Sequence, residues 1–236
     1  MTMEDLTRRI QSGMSTYPGD PPVGVTPHAT MESDGYRVSS LRLGTHTGTH
    51  VDAPAHTEPD GATLDEFEPA AFRFDAALVD VTDVGAREAI QPSAVPSEDD
   101  CADADLLVFR TGWGRHWRTD RYRDHPFLAP AAAEACADRG LAVGVDTLSP
   151  DPTAAGAASP TDESLEADGA STGASGASAE ADGVPAHHAL LGAGLLIVEN
   201  LRLPSALPER FTVHAYPLRV DADGAPVRAV ADVADE

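Results

Sequence analysis

The stretch Gly44-Thr45-His46-Thr47-Gly48-Thr49-His50-Val51-Asp52-Ala53-Pro54-Ala55-His56 sets three imidazoles and a carboxylate close together along the chain. Imidazole and carboxylate are the donors that zinc, manganese and ferrous iron accept. The residues between them are small, so the ligands can converge to the ~2.0–2.2 Å that a single ion requires. Gly48 permits a bend that a side chain would hinder, and Pro54 fixes the chain after Asp52. His50 and Asp52 lie two apart, so an extended segment would place them on one face. A lone histidine is usually a surface residue or a hydrogen-bonded core group. Here three of the nine histidines fall within His46–His56, and a metal site is the reading that accounts for them.

One loop would leave an ion exposed, so further donors are expected from elsewhere. His187 and Glu199 are the best candidates. His187 begins a short helix, with His188 beside it as a competitor for the same role. Glu199 ends the apolar run Leu195–Val198, where a buried carboxylate needs a partner; taken alone it would as often pair with an arginine as with a metal.

Around these residues the chain reads as alternating strands and helices. Apolar runs at Ala76–Val81, Leu106–Phe109, Leu141–Val145, Leu195–Val198 and Phe211–Val220 are expected strands. A helix is expected from Pro130 to a stop at Gly140, and another from Pro185 to the Gly192/Gly194 pair. That order points to a mixed α/β domain. Residues Asp151–Gly183 are rich in Ala, Gly, Ser and Thr, with Leu165 as the one large apolar side chain. Such a segment buries too little to offset its ordering entropy. It reads as a flexible acidic insertion within one domain spanning residues 1–236, because the candidate ligands lie on both sides of it.

Composition narrows the function classes. The chain carries 39 acidic and 16 basic residues, for a formal charge of −23. All the basic residues are arginine. Nucleic acid and anionic membranes are therefore excluded as expected partners. A salt-rich interior, as in a halophilic source, would screen the self-repulsion. Cys101 and Cys136 lie far apart, which argues against a disulfide framework or a cysteine zinc knuckle. No signal-like amino terminus and no apolar run of ~20 residues is present, so a cytoplasmic protein is expected. The one GxSxG match, Gly169-Ala-Ser-Thr-Gly173, lies inside the Ala/Gly/Ser-rich segment, without the apolar strand before it that a serine-hydrolase elbow needs.

The motif His46-Thr-Gly-Thr-His50-Val-Asp52-Ala-Pro-Ala-His56 resembles the HxGTHxDxPxH signature of the cyclase-like metal-dependent hydrolases, which include bacterial kynurenine formamidases. Further blocks are similar to that family: Asp5-Leu-Thr, Tyr17-Pro-Gly-Asp20, Arg110-Thr-Gly-Trp113, Gly144-Val-Asp-Thr-Leu-Ser149, Ala186-His-His-Ala-Leu-Leu191, Ile197-Val-Glu-Asn-Leu201 and Gly224-Ala-Pro-Val-Arg228. The resemblance implies a swivelling β/β/α fold, a homo-oligomer (dimer or tetramer) and two divalent ions, Zn2+ or alternatively Mn2+. By position, His46, His50 and Asp52 would bind the first ion. Asp52 would also touch the second, with His187, and Glu199 would contact both. The spacing between His187 and Glu199 agrees with the family and favours His187 over His188. His56 would be the catalytic acid/base. Tyr17 falls where kynurenine formamidases usually carry a tryptophan against the substrate ring, which keeps a flat π surface with a different residue.

The implied chemistry is hydrolysis of a small-molecule amide, with N-formylkynurenine as the first expected substrate. Isatin, another cyclic amide or a lactone is the alternative, and a metal-binding protein without turnover is the non-enzyme reading. Bound ions would lower the pKa of water from ~15.7 towards ~7 and polarise the carbonyl. His56 could then protonate the leaving amine. Thr111 and Trp113 are expected to close a strand and line the pocket, and Asp146 and Ser149, at the end of a strand, either to support the site from behind or simply to cap a loop.

Overall fold

The computed structural model describes residues 2–154 and 183–233. The chain order of strands is β1 (Thr2–Asp5), β2 (Gly24–Ala29), β3 (Val38–Arg42), β4 (His50–Asp52), β5 (Arg73–Asp80), β6 (Ala89–Ile90), β7 (Leu106–Arg110), β8 (Phe127–Leu128), β9 (Ala142–Val145), β10 (Ile197–Glu199), β11 (Arg210–His214), β12 (Gly224–Pro226) and β13 (Val230–Val233). Among the described residues two α-helices, α1 (Pro130–Ala137) and α2 (Pro185–Gly192), accompany the strands with several single 3-10 turns. Proline opens both helices, where its missing N–H costs nothing. After α1 the chain leaves through Gly140 at φ +67°, a conformation that suits glycine.

Nine strands form one mixed sheet in the order β1-β13-β11-β5-β7-β9-β10-β4-β12. The centre, β5-β7-β9-β10, is parallel, and the flanks are antiparallel. Parallel strands are buried on both faces, and Leu106, Leu107, Val108 and Phe109 of β7 are all fully buried. Only residues 227–229 separate β12 from β13, a link that spans at most about 14 Å. In a flat sheet the two strands would stand roughly 34 Å apart at ~4.8 Å per strand. The sheet is therefore strongly curled, and its two ends approach each other.

The curl divides the interior. On its inner face Leu6, Val51, Ala76, Leu106, Val108, Val198, Val213 and Ala231 form one core. On the other face Ala77, Val79, Leu107, Phe109, Val143 and Ile197 pack under Ala132, Ala133 and Cys136 of α1 and Ala186, Leu190 and Leu191 of α2. The result is the mixed β/β/α arrangement expected. One expected strand is shorter than read: Phe211–Val220 is a strand only as far as His214, followed by an isolated bridge at Pro217. Pro217 cannot donate to a ladder, and beyond it the chain leaves the sheet.

The insertion expected at 151–183 falls, for residues 155–182, outside the described residues. At its leading edge Asp151 and Thr153 are buried, each 1% exposed. Among the described residues no helix is long and apolar enough to cross a membrane.

Candidate metal centre

The curl brings the histidine-rich segment to the centre of the molecule. Gly48 adopts φ +64°, the bend that carries His46 back over the strand. β4 then runs between β10 and β12, with His50 opposite Glu199 and Asp52 opposite Ile197. Residues two apart on a strand share a face, so His50, Asp52 and Glu199 look the same way. α2 covers that face and lowers His187 onto it. Pro54–His56 forms a single 3-10 turn, in contact with α2, that holds His56 over the group.

The polar contacts set the role of each ring nitrogen. His50 Nδ1 lies 2.8 Å from the Gly48 carbonyl oxygen, which can only accept, so Nδ1 donates and Nε2 presents a lone pair. That lone pair faces Asp52 Oδ1 at 3.1 Å and Glu199 Oε2 at 3.3 Å. His187 repeats the pattern. Its Nδ1 donates to Asp151 Oδ2 at 2.7 Å, while Nε2 stands 3.3 Å from Glu199 Oε1 and 3.8 Å from Asp52 Oδ2. His46 donates through Nε2 to Asp223 Oδ2 at 2.9 Å and turns Nδ1 to Asp52 Oδ1 at 2.8 Å.

These inward atoms are all acceptors, and acceptors cannot satisfy one another. His50 Nε2, Asp52 Oδ2 and Glu199 Oε1 are buried without a hydrogen-bond partner among the described residues. Orphaned buried polar atoms are costly, and three that converge call for a cation. The donors fall into two groups that share Asp52: His46, His50 and Asp52, then Asp52, His187 and Glu199. Each imidazole is anchored through its other nitrogen to a carbonyl or a carboxylate, the usual outer support of a metal-bound histidine. The residues present thus fit divalent metal.

The electrostatics agree. Burial opposes a charge on His46, yet the carboxylates of Asp223 and Asp52 push it up to about 11. Burial likewise opposes charge on His187, and Asp151 and Glu199 push it up to about 10. Burial resists ionisation of Asp52, but His50 and His46 hold its carboxyl well below the usual range. The site is a field of negative charge seeking positive charge. Metal ligation needs neutral imidazoles, so a bound cation takes over what protons otherwise supply.

A cavity of about 300 Å3 opens beside these residues, lined by Tyr17, Pro18, Leu148 and Val184 as well as the histidines. Ligand sites typically run from ~300 to 1,000 Å3, so this one suits a small molecule. Burial, then the carboxylates of Glu199 and Asp151, push the Tyr17 phenol up, which keeps it a hydrogen-bond donor beside an apolar wall. His56 also lines the cavity, its ring 4.0 Å from that of His46 and 5.4 Å from that of His187.

All seven residues singled out in the sequence converge: His46, His50, Asp52, His56, His187, Glu199 and Tyr17. His188 does not join them, for it is turned outward to Glu58 at 2.9 Å. One supporting expectation needs correction. Neither Thr111 nor Trp113 lines the cavity, and Trp113 packs against Tyr122 and Leu148 instead. Asp146 takes the loop-capping alternative, accepting from the backbone of Thr111 and Gly112. Ser149 does line the cavity. Sequence reading missed Asp151 and Asp223 as histidine partners. Asp223 immediately precedes the block Gly224–Arg228, and that adjacency was the available signal.

Comparison with known proteins places this geometry. The Cyclase family model matches residues 4–152. A kynurenine formamidase of Salinibacter ruber is 34% identical, covering 98% of this chain and 97% of its own. Among solved structures, a potential metal-dependent hydrolase with cyclase activity is 26% identical with a TM-score of 0.65, covering 98% of this chain and 96% of that one. Isatin hydrolase A from Labrenzia aggregata shares the fold at a TM-score of 0.77 and 20% identity, covering 98% and 93%. With that match spread along its whole length and the motif assembled at its centre, the chain belongs to the cyclase family.

Proposed function

We propose that the chain is a metal-dependent amide hydrolase whose substrate is a small aryl amide, N-formylkynurenine first, cleaved to kynurenine and formate. The observation behind this reading is the convergence of buried acceptor atoms from His50, Asp52 and Glu199, with His56 beside them on the cavity wall. The names of the relatives support an amide as the bond cleaved. Two divalent ions, zinc first and manganese as the alternative, would be held by His46, His50 and Asp52 and by Asp52, His187 and Glu199. Bound there, they supply activated water at neutral pH and polarisation of the carbonyl.

The chain's own residues do the rest. Tyr17 and Leu148 receive the aromatic ring, and the enclosing wall excludes bulk water from the reacting carbonyl. His56 hands a proton to the departing nitrogen. An aniline nitrogen is the easier one to expel, which favours an aryl formamide over an alkyl amide. A protein that only stored metal would have no use for His56.

The exposed hairpin β2–β3, with Tyr36 at 59% and Leu41 at 61% exposure, supports assembly as a homo-oligomer, a dimer or tetramer. The acidic composition supports a cytoplasmic, halophilic setting. The test is a panel of N-formylkynurenine, isatin and simple anilides, run in high salt on protein of measured metal content. Formate release from N-formylkynurenine well above the other rates is expected. Faster opening of isatin would move the substrate to the cyclic amides, and no turnover with metal bound would remove the enzyme reading.

A further inference from the structure

We propose that Asp223 is a positioning residue whose single oxygen Oδ2 clamps two histidines, aiming His46 at the metal centre and His56 at the substrate. The inference rests on the metal-hydrolase reading above and adds a residue to its machinery. Oδ2 lies 2.9 Å from His46 Nε2 and 3.1 Å from His56 Nδ1. An ionised carboxylate only accepts, so both of these nitrogens donate. Each ring is left with one nitrogen for other work. For His46 that is Nδ1, facing Asp52. For His56 it is Nε2, on a residue that lines the cavity.

The clamp is held in place by the backbone around it. The Asp223 carbonyl accepts from Ala53 N–H at 2.8 Å, and that of Ala222 accepts from Leu64 N–H at 3.0 Å. Gly224, the next residue, stands opposite Asp52 in the β12–β4 register. A Cβ on Gly224 would come within 2.9 Å of His46 Cε1 and 3.0 Å of the Val51 carbonyl oxygen. Two consecutive residues thus define the His46 ring: Asp223 grips its edge, and Gly224 leaves the slot that the ring fills. Because the same oxygen holds His56, the proton donor and the metal ligand are kept in fixed register. Without the clamp His56, whose side chain is 30% exposed, would be free to turn outward.

His46, His56 and Asp223 could alternatively act together as ligands of an ion, and the experiment separates the two roles. Asp223→Ala, His56→Ala and the double variant are prepared as full-length protein. Each is assayed for kcat and KM on N-formylkynurenine, zinc stoichiometry, and zinc affinity by competition with a chelating dye. The Asp223 side chain is 37% exposed, so its removal leaves the core packed. Asp223→Leu, of similar shape but with no acceptor for either ring, serves if the alanine variant fails to fold. Expected for Asp223→Ala are a kcat lowered ~10–100-fold with KM little changed, zinc bound ~10–100-fold more weakly, and unchanged stoichiometry at saturating zinc. On the His56→Ala background the further loss in kcat should shrink to about twofold, because the two residues act as one unit. Wild-type kcat in Asp223→Ala, or losses that multiply in full, would overturn the proposal. One fewer zinc in His56→Ala would overturn it too, by making these residues ligands. If wild-type protein cleaves no amide, the functional reading fails while the zinc-affinity measurement still decides the clamp on His46.

Discussion

His125 and His187 are both buried, at 1% and 5% exposure, and both lean on the same short stretch of chain. His125 Nδ1 donates to the Pro126 carbonyl at 2.8 Å, and its Nε2 lies 2.9 Å from the Thr153 hydroxyl, which can donate to it. Both nitrogens are satisfied by neutral groups, and burial pushes the ring down to about 4. His187 has one nitrogen closed by Asp151 and the other aimed at Glu199 and Asp52. Burial is common to both, so burial does not distinguish them. The difference is saturation: a histidine with both nitrogens paired belongs to the architecture, and one left facing equally unpaired carboxylates belongs to the chemistry.

The same contrast separates two carboxylates at strand ends. Asp146 follows β9 and accepts from Thr111 N–H at 2.9 Å, Gly112 N–H at 2.9 Å and the Thr111 hydroxyl. Asp52 ends β4 with Oδ2 unpaired. Asp146 completes a turn, whereas Asp52 waits for a cation.

The sharpest way to break the comparison is to remove each histidine in turn. His187→Ala should lose about one equivalent of metal and at least ~10³-fold in turnover, since the metal supplies several kcal/mol at ~1.4 kcal/mol per factor of ten. His125→Gln should keep both metal and turnover. Metal analysis beside steady-state rates decides it, and a metal-replete, active His187→Ala protein would collapse the distinction. His56→Ala is expected to keep its metal and lose ~10²–10⁴-fold in kcat; an unchanged rate would strip His56 of its proton-transfer role.

Asp146→Ala tests the carboxylate pair. It orphans buried N–H groups that each cost ~1–3 kcal/mol, so stability should fall by about 3 kcal/mol in urea unfolding. Metal content in the surviving folded fraction should not change.

The last effect, confined to acid pH, is a pH dependence of stability. His125 titrates near 6.5 when unfolded and at about 4 when folded. Between those values the unfolded chain binds the extra proton, so stability is complete above pH 6.5 and is lost as pH falls towards 4. At ~1.4 kcal/mol per unit the loss reaches up to about 3 kcal/mol. Wild type and His125→Gln, both stripped of metal by chelator, should differ in the slope of unfolding free energy over that window. Parallel curves would show that His125 does not stay neutral in the fold.

How far the sequence reached depends on the range of the interaction. Pro130 and Gly140 mark α1 because helix ends are local events. Leu106–Phe109 reads as a buried strand because parallel strands are apolar on both faces. His50 and Asp52 share a face because strand periodicity is two. Phe211–Val220 misled because its apolar pattern continues past Pro217, where the ladder cannot.

The motif from His46 to His56 determined the family and the donor types, since both lie in residue identity and spacing. Residue type and position offered His187 and Glu199 as further donors, and the family likeness chose His187 over His188. Only the curled sheet decided which nitrogen of each ring faces inward, because those roles are set by the Gly48 carbonyl, Asp151 and Asp223. Two of these partners come from distant parts of the chain. Asp151 looked from composition like the edge of a solvated insertion, and Asp223 lay just outside the block Gly224–Arg228. Tertiary contact made both of them partners of histidine, because a hydrogen bond is fixed by distance in space and not by separation along the chain.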